Sequence, residues 1–215
     1  MADLFTRDAA IAPAHSALVF IDVQNYATQR EATDFKALSA ADMAKYDYYF
    51  QRLEATVLPN MQALQTAARA AKIEVIFAVI ENLTKDGRDR GLDYKISGIN
   101  VAKGSWEAQV CDAIAPDEDE IILKKTSSSV FISTNIDYLL RSLGVRQVIL
   151  CGLLTDQCVE SAVRDACDLG YLVTLVPDAC ATYAADRQEA SVRAIKGYCR
   201  QITTQALVAE LRQRA

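Results

Sequence analysis

The 215 residues contain a single histidine, His15, and none of the six cysteines belongs to a C-x-x-C pair. Zinc centres are built from closely spaced Cys and His ligands, so no metal site is expected. A formal net charge of −5, without any Lys/Arg cluster, leaves no basic face for nucleic acid or a membrane surface. No apolar run approaches the roughly 20 residues of a membrane span. The polar stretch after Met1 lacks the apolar core of a secretory signal. A cytoplasmic chain with free thiols is therefore expected, and a disulfide framework does not suit this size and setting. The first apolar run is followed by Asp22-Val23-Gln24-Asn25 rather than a G-x-G-x-x-G turn, so the phosphate cradle of a dinucleotide enzyme is missing. Neither an internal repeat nor a low-complexity linker breaks the chain, and one domain over 1–215 is expected, with no cofactor.

What the chain does have is a series of short apolar runs. Ala17–Val23, Ile73–Ile80, Glu120–Lys124, Arg146–Cys151 and Tyr171–Val176 read as strands, with Tyr198–Ile202 as a further candidate. The near-continuous hydrophobicity of Ala17–Val23 is that of a strand buried on both faces. Helical periodicity runs from about Tyr49 to Ala71, where Pro59 is expected to kink or divide it. The spacing also predicts helices over Ser133–Ser142, Thr155–Leu169, Arg187–Lys196 and Thr203–Arg212. Strands alternating with helices make an α/β protein with an open parallel sheet covered on both faces. Its ligand crevice lies at the carboxyl ends of the strands. Residues 26–46 and 81–104 are long and irregular, which marks them as binding loops or lids.

The chemistry concentrates after the run ending at Cys151. Gly152-Leu153-Leu154-Thr155-Asp156-Gln157-Cys158 is a glycine-marked turn that delivers one cysteine to a helix N-terminus. Unpaired N–H groups and the helix dipole there favour thiolate over thiol, and the same N–H groups suit an oxyanion. A cysteine can equally pack as a small hydrophobe, and that reading holds for Cys111, Cys151, Cys167, Cys180 and Cys199. Asp22 closes the first strand on the crevice side, as a functional carboxylate or as a cap. Lys124 and Lys125 end the third, as a solvated strand end or as an ammonium beside the sulfur. With His15 placed before the first strand, lysine is the natural proton shuttle for a cysteine nucleophile.

Three separated motifs resemble those of the isochorismatase-like cysteine hydrolases, and the resemblance covers nearly the whole chain. Phe20-Ile21-Asp22-Val23-Gln24-Asn25 is similar to the family's aspartate motif, Lys125 through Phe131 to its lysine segment, and Gly152 through Val159 to its nucleophile turn. The 33-residue separation of Lys125 from Cys158 favours Lys125 over Lys124. The resemblance implies a three-layer α/β/α fold with a six-stranded parallel sheet in the order 3-2-1-4-5-6, and a triad of Asp22, Lys125 and Cys158. It further implies a non-proline cis peptide at Leu154–Thr155 that aims the backbone N–H groups of Thr155 and Cys158 at the oxyanion. A homodimer or homotetramer is implied as well. One departure stands out: Ser128 occupies a position that is usually aromatic in the lysine segment, with Val130 after it, which implies a differently shaped pocket.

The family's metal-dependent nicotinamidase branch needs histidines that this chain lacks. The presence of Cys158 favours cleavage of a C–N bond through a thioester over the vinyl-ether hydrolysis of isochorismatases, or over a non-catalytic member of the fold. Lys103-Gly104-Ser105-Trp106 and Gln24 through Thr28 are similar to the ureidoacrylate and biuret hydrolase branch, which implies a small ureido or carbamoyl amide as substrate. In that mechanism Cys158 attacks, Lys125 hands a proton to the departing nitrogen, and Asp22 orients Lys125 and then activates water. Gln24, Asn25, Tyr26, Glu81, Asn82 and Trp106 are candidate pocket residues, with anchoring or core packing as their alternative. Arg88, Arg90 and Lys95 are candidates for gripping a substrate carboxylate.

Overall fold

A computed structural model of the protein describes residues 6–214. Six strands, β1 (Ser16–Ile21), β2 (Glu74–Ile80), β3 (Ile121–Lys125), β4 (Gln147–Leu153), β5 (Leu172–Ala181) and β6 (Arg200–Gln201), form one sheet in the order β3-β2-β1-β4-β5-β6. All neighbours run parallel. The order reverses beside β1, so the crevice opens at the carboxyl ends of β1 and its two neighbours. Every residue of β1 and β4 is buried, as expected for strands covered on both faces.

The helices that cover the sheet are α1 (Leu58–Ala70), α2 (Leu92–Ser97), α3 (Ile136–Ser142), α4 (Glu160–Asp168), α5 (Ala185–Ala194) and α6 (Thr204–Arg212). The α1 helix packs against α6 and β2, and α4 packs against β4 and β5. Upstream of α1, a helical turn over Asp47–Arg52 continues through a wide turn at Leu53–Val57, and Pro59 enters at the start of α1. The helical backbone is not divided at Pro59: it stays continuous, and the wide turn immediately before the proline takes up the missing N–H.

Two strands run further than their apolar runs suggest. β4 continues through Gly152 to Leu153, and β5 continues past Pro177 to Ala181. Gly152 reads as a turn residue in sequence but lies inside the strand. A Cβ there would stand 2.2 Å from the Ile21 carbonyl oxygen, and its φ of 141° is closed to ordinary side chains. Glycine thus lets β4 close on the end of β1, immediately before Asp22. Opposite this point β5 bulges, its register shifting from the Leu150–Leu175 pair to Gly152–Cys180. The bulge accommodates Pro177.

Candidate active site

Asp22, Lys125 and Cys158 meet at the carboxyl edge of the sheet. Asp22 follows β1 with φ of 56°, a left-handed conformation that aspartate tolerates better than most residues, while its N–H still donates to Ala78 of β2 at 2.8 Å. Lys125 is the last residue of β3, in register with Ile80. Cys158 lies in the wide helical turn Thr155–Val159 that links β4 to α4. That turn is pinned from α5: the Thr155 hydroxyl bonds Gln188 at 2.6 Å, and Arg187 pairs with Asp156.

The three side chains are enclosed. Lys125 has no exposed surface, Asp22 is 2% exposed and Cys158 is 5% exposed. The Lys125 ammonium donates to the Tyr94 hydroxyl at 2.8 Å, the Ser127 carbonyl at 3.0 Å and the Cys158 sulfur at 3.4 Å. Those three acceptors use its three N–H bonds. Asp22 Oδ2 stands 3.0 Å from Nζ as an ion-pair partner, yet neither carboxylate oxygen receives a well-aligned hydrogen bond. A buried carboxylate with free lone pairs is unusual, and Asp22 faces a cavity of about 510 Å³ that Cys158 also lines.

Protonation follows from this enclosure. Burial pushes the Cys158 thiol up to about 11, and the attraction of Lys125 only partly offsets it. The expectation was that the helix terminus and lysine favour the thiolate; burial of the sulfur works against that form here, with Lys125 opposing the burial. Burial likewise raises Asp22, against the pull of Lys125. For Lys125, burial works against the charged form but is overcome by the Asp22 carboxylate and the Cys158 sulfur, which hold it above the usual lysine range.

The cis peptide is corrected in position. It joins Leu153 to Leu154, one bond before the expected Leu154–Thr155, because Thr155 already belongs to the helical turn. Among the described residues, neither the Leu154 nor the Thr155 N–H makes a hydrogen bond, while the Leu154 carbonyl accepts from the N–H groups of Gln157 and Val159. Leu154 and Cys158 line the cavity; Thr155 is fully buried and does not.

Of the candidate pocket residues, Tyr26 alone lines this cavity, its hydroxyl donating to Asp34. Gln24 is a fully buried clamp whose amide serves Ile80 and Glu107, and Asn25 donates to the Trp106 carbonyl at 3.0 Å. Glu81 accepts from Lys124 and from the Gly104 N–H, and Asn82 donates to Asn100. These four are anchors because the irregular segments need side chains to satisfy their backbone. Trp106 is half-exposed and away from the cavity. Arg88 pairs with Asp86, Arg90 donates to the Gly87 and Ile99 carbonyls, and Lys95 donates to the Arg88 carbonyl. None of these three cations lines the cavity. Sequence reasoning missed Tyr94, Asp34, Phe35, Asp93 and Tyr183, which do. The two irregular segments that carry the first four were the one available signal.

A family model described as the isochorismatase domain matches residues 16–206. The ureidoacrylate amidohydrolase RutB of Enterobacter sp. (strain 638) is 34% identical over 203 residues, spanning 83% of this chain and 81% of the relative. A cysteine hydrolase from Pseudomonas syringae pv. phaseolicola 1448A superposes with a TM-score of 0.83 at 25% identity, covering 96% of both chains. An N-carbamoylsarcosine amidase from Thermoplasma acidophilum shares the fold, with a TM-score of 0.68 at 23% identity over 88% of this chain and 96% of that one. This chain belongs to the isochorismatase family of hydrolases.

Proposed function

We propose that the protein is an amidohydrolase that cleaves a C–N bond of a small non-peptide amide through a thioester on Cys158. One observation carries the reading: a buried thiol and a buried carboxylate line one cavity, and a buried ammonium behind them stands 3.4 Å from the sulfur and 3.0 Å from the carboxylate. The names of the 34%-identical relative and of the amidase sharing its fold point to the same bond type.

The raised proton affinity of Asp22 suits it to take the Cys158 proton as the sulfur attacks the carbonyl carbon. Lys125, held charged, stabilises the thiolate as it forms. The oxyanion is received by backbone N–H groups of the turn, those of Cys158 and Leu154; Leu154 replaces the expected Thr155 because it borders the cavity. Collapse of the tetrahedral adduct expels the nitrogen, which takes the proton stored on Asp22, while Lys125 keeps its charge. Asp22, again a carboxylate, then deprotonates the water that hydrolyses the thioester, and the released sulfur recovers that proton.

An ammonia-release screen over ureido acids, biuret, carbamoylated amines and simple amides tests the reading. At least one compound should be hydrolysed, with Cys158→Ser lowering kcat at least about 10³-fold while the fold is kept. A variant that retains wild-type turnover would remove Cys158 from the mechanism.

A further inference from the structure

The walls of the cavity carry charge of one sign. Asp34 and Asp93 both line it, both are exposed, and no lysine, arginine or histidine lies on the lining among the described residues. Neither carboxylate has a cationic partner there. Asp34 accepts from the Tyr26 hydroxyl, and Asp93 accepts no hydrogen bond at all among those residues. Arg30 pairs with Glu54 and Arg187 with Asp156, and Lys36, two residues from Asp34, does not line the cavity. At the cavity's inner end, the buried Asp22 carboxylate borders the same space, its Oδ2 3.0 Å from the Lys125 ammonium and its Oδ1 without a hydrogen bond among the described residues. Lys125, the cation beside Asp22, is fully buried and does not line the cavity.

We infer that this cavity selects amides whose remote substituent is cationic, an ammonium or amidinium, and rejects those bearing a carboxylate. Asp93, with Asp34 beside the Tyr26 hydroxyl, is the specificity-determining group. The inference rests on the amidase reading for the scissile bond, but the charge preference stands on the lining alone. Tyr26, Tyr94, Phe35 and Tyr183 supply aromatic surface on the same walls, the surroundings in which an organic cation is further stabilised. Arg88, Arg90 and Lys95, the expected carboxylate grip, are all turned to other acceptors.

Unit charges about 4 Å apart in water-like surroundings change an equilibrium roughly fivefold, so attraction against repulsion at one carboxylate separates the two substrate types about 20-fold. The test has two arms. In the first, Cys158 of the full chain is alkylated with 2-bromoethylammonium and with iodoacetate, each rate divided by that of the same reagent with a small free thiol. The cationic reagent should be favoured at least about 20-fold, the ratio should fall about 20-fold in Asp93→Asn, and salt should compress it. In the second arm, kcat/KM is compared for aminopropylurea, propylurea and 3-ureidopropionate, in that expected order. Equal or faster alkylation by iodoacetate, or a preference for 3-ureidopropionate, overturns the inference. If the alkylation ratio is as expected but no amide in the wider screen is hydrolysed, the charge selection holds and the amidase reading fails instead.

Discussion

Replacing Lys125 by methionine keeps most of the side-chain volume and removes the cation paired with Asp22. The side chains of the pair are 0% and 4% exposed and 3.0 Å apart. Breaking a pair this deeply buried leaves an uncompensated carboxylate, at a cost of about 3–5 kcal/mol. For a domain of this size that is a fall of about 6–20 °C in Tm. The double variant Asp22→Asn/Lys125→Met removes the orphaned charge together with its partner, and should recover most of the loss. The pH dependence has a definite sign. A carboxyl group whose folded-state pKa is raised contributes stability that is present below its ordinary value and lost as pH rises through the raised one. Asp22 is already raised by burial, and losing Lys125 raises it further. The deficit of Lys125→Met should therefore shrink as pH falls toward the ordinary aspartate value near 3.8 and grow toward neutrality. Urea unfolding of wild type, both single variants and the double variant, at pH 4.5 and 7.5, gives the coupling directly. Additive losses in the double variant, or a single variant as stable as wild type at pH 7.5, would refute the buried-pair account.

Gly152→Ala should destabilise by more than about 4 kcal/mol or prevent folding, since the new Cβ meets the Ile21 carbonyl oxygen at 2.2 Å; a Tm within a few degrees of wild type in a thermal melt would contradict this. Tyr94→Phe removes an acceptor 2.8 Å from the Lys125 ammonium without emptying the core, so kcat should fall about tenfold with KM little changed; a change confined to KM would place Tyr94 in substrate binding instead. With the Cys158 thiol near 11, its alkylation by iodoacetamide should rise about tenfold per pH unit from 7 to 10, and a plateau beginning below pH 8 would show a thiolate already present.

The sheet was largely legible because its strands are nearly all apolar and separated by helical periodicity, a contrast that survives without tertiary information. The exceptions follow from residues with two uses. Gly152 has the composition of a turn, yet sits within β4 because β1 approaches too closely for a Cβ. Pro177 marks the end of an apolar run, yet β5 passes it by bulging. That Asp22 and Lys125 border strand ends and Cys158 follows one was readable along the chain, but that the three side chains meet was implied only by the family resemblance, because spacing cannot show it. Their energetics were not readable. Whether a cysteine is held as thiol or thiolate depends on enclosure, and the side chains that enclose Cys158, Tyr94 among them, come from segments with no periodicity. The same holds for the cavity wall. Gln24, Asn25, Glu81 and Asn82 are polar residues beside the strand ends, but they anchor irregular backbone, while Asp34 and Asp93 reach the cavity from mid-segment.

The central claim is a covalent bond to one sulfur. Acid-quenched enzyme, taken during steady-state turnover of the best amide from the screen, should show on the peptide containing Cys158 a mass increase equal to the acyl or carbamoyl group. Hydroxylamine should remove it, and Asp22→Asn should accumulate it or abolish it. Full turnover with that peptide unmodified at every quench time, and with Cys158→Ala equally active, would contradict the account.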